Sequence, residues 1–411
     1  MPSFFKNKLK IPMVLFGSVV SILLYAIGIF LLFNCCYLLF FALAGHKKVQ
    51  PLQEKVKLDR RFCVLIPAYR ENEVVLESSK AALRHAYSGD FDVFVIADGL
   101  EPETLQELKT SGVGVLEVFF EKSTKGKALS AALGMLPEHA YDIVAILDVD
   151  NLMGQNFMQE VNKAFNAGYK VVQAHRTAKN MDSAFALLDA CNEEINNTIY
   201  RKGHYAIGMS SALIGSGMAF DFAYLKKLLQ GIGETVGEDK ELDFRIVKDQ
   251  EKICYLDQVY VYDEKIENAK VFTQQRTRWI AAQLEFLEKY AAEGVVQLFR
   301  NGNFEFFNKV VQAFLVPRVL LIGVLGLFFL SSLVLPVGPS PLFWAVLLLM
   351  LSAALFIALP GRFYRNKKLW QAILHLPYAL FCMVKALFQI KKAKTSFLST
   401  PHKVKAVSPE V

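Results

Sequence analysis

The 411-residue sequence predicts an α/β domain with a mostly parallel sheet, embedded between transmembrane helices. Three observations carry that prediction. Strand and helix signals alternate from Arg61 to about Asp263, the pattern of a parallel sheet with helices on both faces. Residues Ile11–Ala44 carry no charge, and between Val310 and Pro360 the only charged residue is Arg318. Both runs exceed the roughly 20 residues that cross a hydrocarbon core. The charge is also divided. Outside residues 45–309 there are 14 Lys and Arg against one acid, Glu410, whereas inside there are 32 against 38. The overall charge of +7 and mean hydropathy of +0.29 therefore hide two regions, basic membrane flanks and an acidic polar domain. That division argues against a nucleic-acid partner, which needs its basic residues on the folded domain.

The elements follow in order. Lys6, Lys8 and Lys10 precede the first apolar run, which ends in Ala42-Leu43-Ala44. Such an ending resembles a signal-peptide cleavage site, but an h-region runs only about 7–15 residues. One long tilted span is expected over residues 1–45, with a tight hairpin at Asn34-Cys35-Cys36 as the alternative. Basic residues from Lys47 to Arg61 put the next section, residues 46–290, on the cytoplasmic side. Within it Phe62–Pro67, Val93–Ala97, Val113–Phe119, Ile143–Leu147 and Val171–Ala174 read as strands. Glu71–Ala86, Glu103–Thr110, Lys125–Leu136 and Gln155–Ala167 read as helices. Ligands of such a sheet bind at the carboxyl ends of the strands. Beyond Gln274 the pattern is helical, with interfacial helices over residues 291–309 around Phe304-Glu305-Phe306-Phe307. Val310–Leu335 and Leu342–Leu359 form a transmembrane hairpin over residues 310–360, closed by the Pro336–Pro341 turn. The basic loop Gly361–Lys368 is cytoplasmic. Leu369–Ile390 contains His375, Pro377 and Lys385, and spanning would export Lys391, Lys392 and Lys394. Residues 361–411 are therefore expected to hold an interfacial or re-entrant helix and a basic cytosolic tail. The six cysteines form no CxxC and no zinc spacing, and read as reduced packing residues.

Several motifs carry chemistry. Asp148-Val149-Asp150-Asn151 ends a strand in two carboxylates, which would project from one side of it. Such a pair suits a hard divalent cation that shares ligands with substrate phosphates; a solvated loop is the plainer reading. Gly237-Glu238-Asp239 opens a helical pattern over Lys240–Val247, where a carboxylate is either a dipole residue or a general base. Gln275-Arg276-Thr277-Arg278-Trp279 packs a Gln, two Arg and a Trp into five residues. Arginine suits bidentate contact with diphosphate oxygens, and the indole offers a flat face to a sugar; an interfacial aromatic belt is the competing reading. Ser123-Thr124-Lys125-Gly126-Lys127-Ala128 opens a helix with two Lys that could hold phosphate, without the P-loop spacing. Gly215-Ser216-Gly217-Met218 would allow close backbone approach to a ligand. Donor choice is expected to depend on the pocket around Ser216, Met218 and His175.

Taken in order, Ile66-Pro67-Ala68-Tyr69-Arg70-Glu71, Asp98-Gly99, Lys125-Gly126-Lys127, Asp148-Val149-Asp150, Gly215-Ser216-Gly217, Gly237-Glu238-Asp239 and Gln275–Trp279 resemble the family 2 membrane glycosyltransferases. These are inverting enzymes with a Rossmann-like, A-type nucleotide-sugar fold (GT-A type), such as the cellulose, chitin and hyaluronan synthases. The resemblance covers about residues 60–285 and extends to the transmembrane layout and the closing Ser399-Thr400-Pro401-His402-Lys403. It implies that Pro67, Tyr69 and Glu71 border a nucleoside pocket, with Asp98 facing uracil and Lys127 near the phosphates. Asp148 would contact the nucleotide and Asp150 would ligate Mg²⁺ or Mn²⁺ with the diphosphate. Asp239, next to Glu238, would be the catalytic base, and Gln275, Arg278 and Trp279 would hold the diphosphate and the acceptor end. Two departures stand out: Arg70 replaces the usual Asn of the first motif, and Gly237 stands where processive members often carry Thr. The implied activity is transfer from a nucleotide diphosphate sugar, expected to be a UDP-sugar, to a hydroxyl acceptor in polysaccharide synthesis. Transfer of one sugar to a lipid acceptor, as in glycolipid or polyprenyl-phosphate glycosyltransferases, is the alternative. The implied partners are the donor, a polysaccharide or lipid acceptor, the bilayer and an export subunit, for a multi-pass protein of the cell membrane with a cytoplasmic catalytic domain. A non-catalytic sensor or transporter would have no use for the Asp150, Asp239 and Arg278 set.

Overall fold

The computed structural model describes residues 3–393 apart from Glu234 and Val236. Ser399–Lys403 and Glu410 lie outside the described residues. The chain begins with one unbroken helix, α1 (Ser3–Ala44), so the hairpin alternative at Asn34 does not form. Asn34 instead closes onto its own helix, donating to the Phe30 carbonyl at 2.8 Å, and accepts the Val316 amide at 2.8 Å. The polar domain then runs β1 (Phe62–Tyr69), α2 (Asn72–Leu83), β2 (Phe91–Asp98), α3 (Pro102–Thr110), β3 (Gly114–Val118), α4 (Lys125–Met135) and β4 (Ile143–Ile146). It continues with β5 (Leu152–Met153), α5 (Phe157–Asn166), β6 (Val171–Ala178), α6 (Ala184–Asn196), a π-helix (Asn197–Gly203) and α7 (His204–Ala206). The remaining elements of the domain are β7 (Met218–Asp221), α8 (Phe222–Leu229), α9 (Glu238–Lys248), β8 (Ile253–Asp263) and the long α10 (Ala269–Asn301).

The strands form one sheet in the order β3-β2-β1-β4-β7-β6-β8-β5. It is mixed rather than simply parallel. Neighbours β3, β2, β1 and β4 are parallel, as are β6 and β8, while β7 and β5 run against their neighbours. The reversal of β7 follows from its connection: the chain leaves β6 through α6, the π-helix and α7, and re-enters the sheet from the end at which β6 finished. Phe62 through Ile66 are fully buried, as expected of a strand covered on both faces. Two apolar layers do the covering. Val161, Phe157 and Leu108 pack on one face, and Leu129, Leu133, Leu225 and Ile246 on the other. Each such fully buried side chain contributes about 1.5–3 kcal/mol relative to exposure.

The C-terminal region contains α11 (Phe304–Phe314), α12 (Arg318–Val334), α13 (Pro341–Ala358), α14 (Gly361–Tyr364), α15 (Lys368–Ile373) and α16 (Leu376–Ala393). The expected span Val310–Leu335 is broken. Its first residues belong to α11, which meets α12 at a bend of 58°. Pro317 explains the break, because it lacks an amide hydrogen and disfavours helical geometry in the residue before it. Gly17–Ala44 and Pro341–Ala358 are long and apolar enough to cross a membrane, and the bent α11–α12 pair passes the same test taken as one. Helix α10 carries the chain across residue 290 without interruption. Helix α16 packs along α10 and α12.

Candidate active site

The carboxyl ends of β1, β2 and β4 open onto a cavity of about 1170 Å³. Pro67, Tyr69 and Glu71 line one end, with Asp98 at the last position of β2, in register with Tyr69. Asp98 is buried and accepts a hydrogen bond from the Ser123 hydroxyl. Arg70 holds a left-handed backbone, φ 57°, with its guanidinium over the Tyr69 ring and its amide bonded to the Asp98 carbonyl at 3.1 Å.

Strand β4 stops at Ile146, so Asp148 and Asp150 stand in a turn rather than on the strand. The expectation that the pleat aims both carboxylates one way is corrected accordingly. The Asn151 side chain accepts the Asp148 amide at 3.2 Å, and Val149 is buried in the core between the two acids. Asp148 faces Lys125, which also donates to the Gly215 carbonyl at 2.6 Å, and lies 3.9 Å from Arg176. Burial disfavours the Lys125 charge, but Asp148 and Glu238 outweigh it and raise its affinity for the proton. Asp150 is buried; one carboxylate oxygen accepts the Glu264 amide at 2.7 Å and the other the Asn151 amide group at 3.1 Å. Asp263 stands close enough to feel the Asp150 charge. Its own proton affinity is raised, mainly by burial and further by Asp150 and Glu193, against Lys265 and Arg176.

Among the described residues no group of three or more His, Cys, Asp or Glu could hold a metal ion by itself. The donor set present is a small group of buried carboxylates beside an open cavity. That set fits Mg²⁺ or Mn²⁺ taking its remaining ligands from phosphates and water. It does not fit a closed all-protein metal cage.

Gly237 leads into α9 without a side-chain cap, leaving Glu238 and Asp239 in the first turn, where the helix dipole favours negative charge. Both line the cavity. The Glu238 proton affinity is raised, first by burial and then by Asp239 and Asp148, with Lys125 opposing. Gly215, at φ 87°, brings backbone close to this turn: a Cβ there would lie 3.9 Å from the Asp239 Cβ.

The Gln275–Trp279 segment is a turn of α10, and both of its arginines line the cavity. Arg276 pairs with buried Asp189 and stacks 4.0 Å from the Trp279 ring centroid. It thereby positions the indole. Gln275, Arg278 and Trp279 line the cavity, and the Gln275 carbonyl oxygen is buried without a hydrogen-bond partner.

Other expectations are corrected. Lys127 does not line the cavity; its amide caps onto the Thr124 hydroxyl at 3.2 Å and its ammonium reaches the Lys122 carbonyl at 3.3 Å. Two residues along a helix turn a side chain by about 200°, so Lys125 faces the cavity and Lys127 does not. Ser216, Met218 and His175 are all buried outside the cavity lining. His175 bridges Glu194, at 3.0 Å, and the Asp257 carbonyl, at 3.0 Å. Residues unnoticed in the sequence stand in the cavity instead. Arg176 pairs with Glu193 at 2.9 Å and Asp263 at 3.4 Å, and Lys265 with Asp263 at 2.7 Å. The signal for Asp263 was the alternating run Val259-Tyr260-Val261-Tyr262 in β8, which ends at it, while Arg176 lies on β6 two residues beyond the expected strand Val171–Ala174.

Comparison with known proteins follows the same lines. The family described as "Glycosyltransferase like family 2" matches residues 60–282. A probable glycosyltransferase of Bacillus subtilis strain 168, YdaM, is 23% identical over 262 residues, covering 60% of this chain. The chain spans 61% of the length of that relative. Among solved structures, a mannosyltransferase from Pyrobaculum calidifontis in complex with GDP-Man and Mn²⁺ superposes with a TM-score of 0.57 at 16% identity. The superposition covers 91% of this chain and 99% of that one, so the two share a fold.

Proposed function

The chain belongs to the glycosyltransferase like family 2, and from that premise we propose that it is a membrane-bound inverting enzyme. It moves a sugar from a nucleotide diphosphate sugar to an acceptor hydroxyl. The observation that carries this reading is the convergence on one cavity of Asp98, Asp148, Asp150, Asp239 and Arg278, from four separate segments. Pro67, Tyr69 and Asp98 hold the nucleoside, and Lys125 and Arg278 meet the diphosphate. Asp239 takes the proton of the acceptor hydroxyl. The hydroxyl oxygen then bonds to the anomeric carbon while the bond to the diphosphate oxygen breaks on the opposite face, so configuration inverts. The nucleoside diphosphate leaves with the bonding electrons. Glu238, beside the base, holds its proton more readily than an exposed glutamate because it is buried. A divalent cation held by Asp150 and the diphosphate would neutralise charge on the leaving group; the Pyrobaculum enzyme, similar in fold, binds Mn²⁺ and a GDP-sugar.

Two acceptors fit. The Gln275–Trp279 turn supports a growing polysaccharide. The apolar helices at the far end of the cavity favour a single transfer to a lipid. The cytoplasmic placement of the domain rests on the basic flanks. Incubating membranes with radiolabelled UDP- and GDP-sugars separates the two acceptors by product size and solubility. Asp239→Asn should slow transfer about 10²–10⁴-fold while nucleotide affinity stays within a few-fold. Wild-type turnover in that variant removes Asp239 from its role. Chelation by EDTA should stop transfer, and Mn²⁺ or Mg²⁺ should restore it; transfer that persists in EDTA refutes the metal.

A further inference from the structure

Asp239 stands in the first turn of α9, a helix that opens without a side-chain cap. One side of that helix is fastened to α10, where Tyr290 donates to Glu241 at 2.9 Å. The side that carries Asp239 is fastened by Asp243, four residues on and on the same face. Asp243 lines the cavity and is 1% exposed. Its Oδ1 accepts the Leu213 amide at 3.0 Å, and its Oδ2 pairs with Lys309 of α11 at 3.3 Å. Lys309 is 5% exposed and also donates to the Ser211 carbonyl at 3.1 Å. Lys240 stands 3.6 Å from the same carboxylate, but its side chain is half-exposed, and exposed pairs add little. Three pieces of chain thus meet at one buried ion pair: α9, the first half of the bent α11–α12 pair, and the segment Ser210–Leu213. That segment is tied to α11 a second time, where Glu305 accepts the Ser210 amide at 2.9 Å. It leads straight to Gly215, whose backbone lies beside Asp239. Helix α11 is itself anchored on α1 by Asn308, which accepts the Tyr37 hydroxyl at 2.9 Å.

A buried ion pair gains little over uncharged side chains of similar volume, which are often neutral or stabilising in its place. Stability alone therefore does not account for this one. What the pair supplies is direction, because hydrogen-bonded contacts fix an angle as well as a distance, whereas apolar packing is non-directional. Direction matters at a base, since a misplacement of about 1 Å can cost a reaction about a hundredfold. Resting on the proposed glycosyl transfer with Asp239 as its base, we propose that Asp243 and Lys309 are positioning residues. Together they hold the first turn of α9 at the depth and angle at which Asp239 meets the acceptor hydroxyl. Both act through Asp239 and not on the reacting atoms. The base thereby takes its reference from α11 and α1 as well as from the sheet.

The test compares Lys309→Met, Asp243→Asn, the double variant and Lys309→Arg in the full chain. The unfolding midpoint and the affinities for UDP and GDP with Mn²⁺ are read in detergent. Transfer is read in membranes, with whichever radiolabelled UDP- or GDP-sugar the wild type uses. Each single variant leaves one buried charge without its partner, and should lose kcat by about ten- to a hundredfold, with donor KM and nucleotide affinity within a few-fold. The double variant strands no charge, and its Asn keeps an acceptor for the Leu213 amide. Its midpoint should recover above both single variants while its kcat stays as low as theirs. Lys309→Arg should keep most of the turnover. On an Asp239→Asn background Lys309→Met should add little further loss, because residues that act through one group are not additive. Turnover that recovers with the midpoint in the double variant makes the pair structural only and overturns the inference. So does a midpoint that does not recover, a loss carried by KM or nucleotide affinity, or a loss that multiplies in full on Asp239→Asn. A wild-type chain that transfers no UDP- or GDP-sugar refutes instead the underlying reading of the site.

Discussion

Lys125 and Lys127 sit one helical turn or less from the same phosphate-facing edge, yet only one of them meets the cavity. Lys125 is held by Asp148 and the Gly215 carbonyl, with Glu238 close by. Removing its ammonium leaves Asp148 with only Arg176, at 3.9 Å, and takes the opposing cation from Glu238 in a partly dry site. Lys125→Ala should therefore lower kcat/KM for the nucleotide sugar by tenfold or more, about 1.4 kcal/mol or above, while Lys127→Ala changes it less than twofold. Comparable losses in both variants would contradict the placement. Arg70 makes a second point at this scale. It occupies the left-handed region at φ 57°, which Asn tolerates better than Arg. Arg70→Asn should be neutral or stabilise the chain by up to about 1 kcal/mol, read as a rise in the unfolding midpoint. A fall would show that the contact of the guanidinium with Tyr69 outweighs the backbone strain.

At the level of the elements, the pairing of β6 with β8 is fastened by His175. Burial alone would lower its proton affinity, but Asp257 and Glu194 outweigh it and raise the pKa to about 9. The folded form thus binds a proton more tightly than the unfolded form, whose value is near 6.5. The stabilisation is fully present below about pH 6.5 and fades as the pH rises through about 9, following the linkage relation. Unfolding free energy should fall across that window by up to about 3 kcal/mol, and His175→Gln should flatten the fall. An unchanged pH profile in that variant would remove the histidine from this role. Of this pair the sequence shows β6, from Val171–Ala174, but β8 is absent from the strands read there, and alternation announces a strand without announcing its partner. Strands β1 to β4 were legible from short apolar runs between helical ones, and their boundaries agree within a few residues. Strand β7 lies between β4 and β6 through contacts made far along the chain, which no local pattern encodes. The same limit explains the site. Asp148, Asp150, Asp239 and Arg278 stand out because carboxylates and arginine in tight motifs are costly to place elsewhere. Arg176 and Asp263 are isolated residues that acquire meaning only when strand order and helix packing bring them together.

Across the whole molecule, the long apolar helices and the polar domain are joined by close backbone packing as well as by charge. Arg362, after α13, reaches Glu194 at 2.5 Å. Helix α1 lies against the π-helix so closely that a Cβ on Gly203 would stand 2.3 Å from the Phe41 carbonyl oxygen. On Gly45 it would stand 2.7 Å from the Thr198 side chain. The π-helix also contributes Tyr200 and Arg201 to the cavity wall, so displacement of α1 would be felt at the site. Gly→Ala in a helix ordinarily stabilises by about 0.5–1 kcal/mol. At Gly203 the new methyl must instead displace backbone, an overpacking cost of about 1–3 kcal/mol or more. Gly134 near the end of α4 is the control, since nothing lies within 4 Å of its added Cβ. The same chemical change should therefore have opposite signs at the two positions. Gly134→Ala should raise the unfolding midpoint of the full chain in detergent, and Gly203→Ala should lower it. Gly203→Ala should also reduce transfer, because the neighbouring Tyr200 and Arg201 belong to the cavity wall. A Gly203→Ala chain as stable and active as the wild type would mean that α1 tethers the domain without shaping its site.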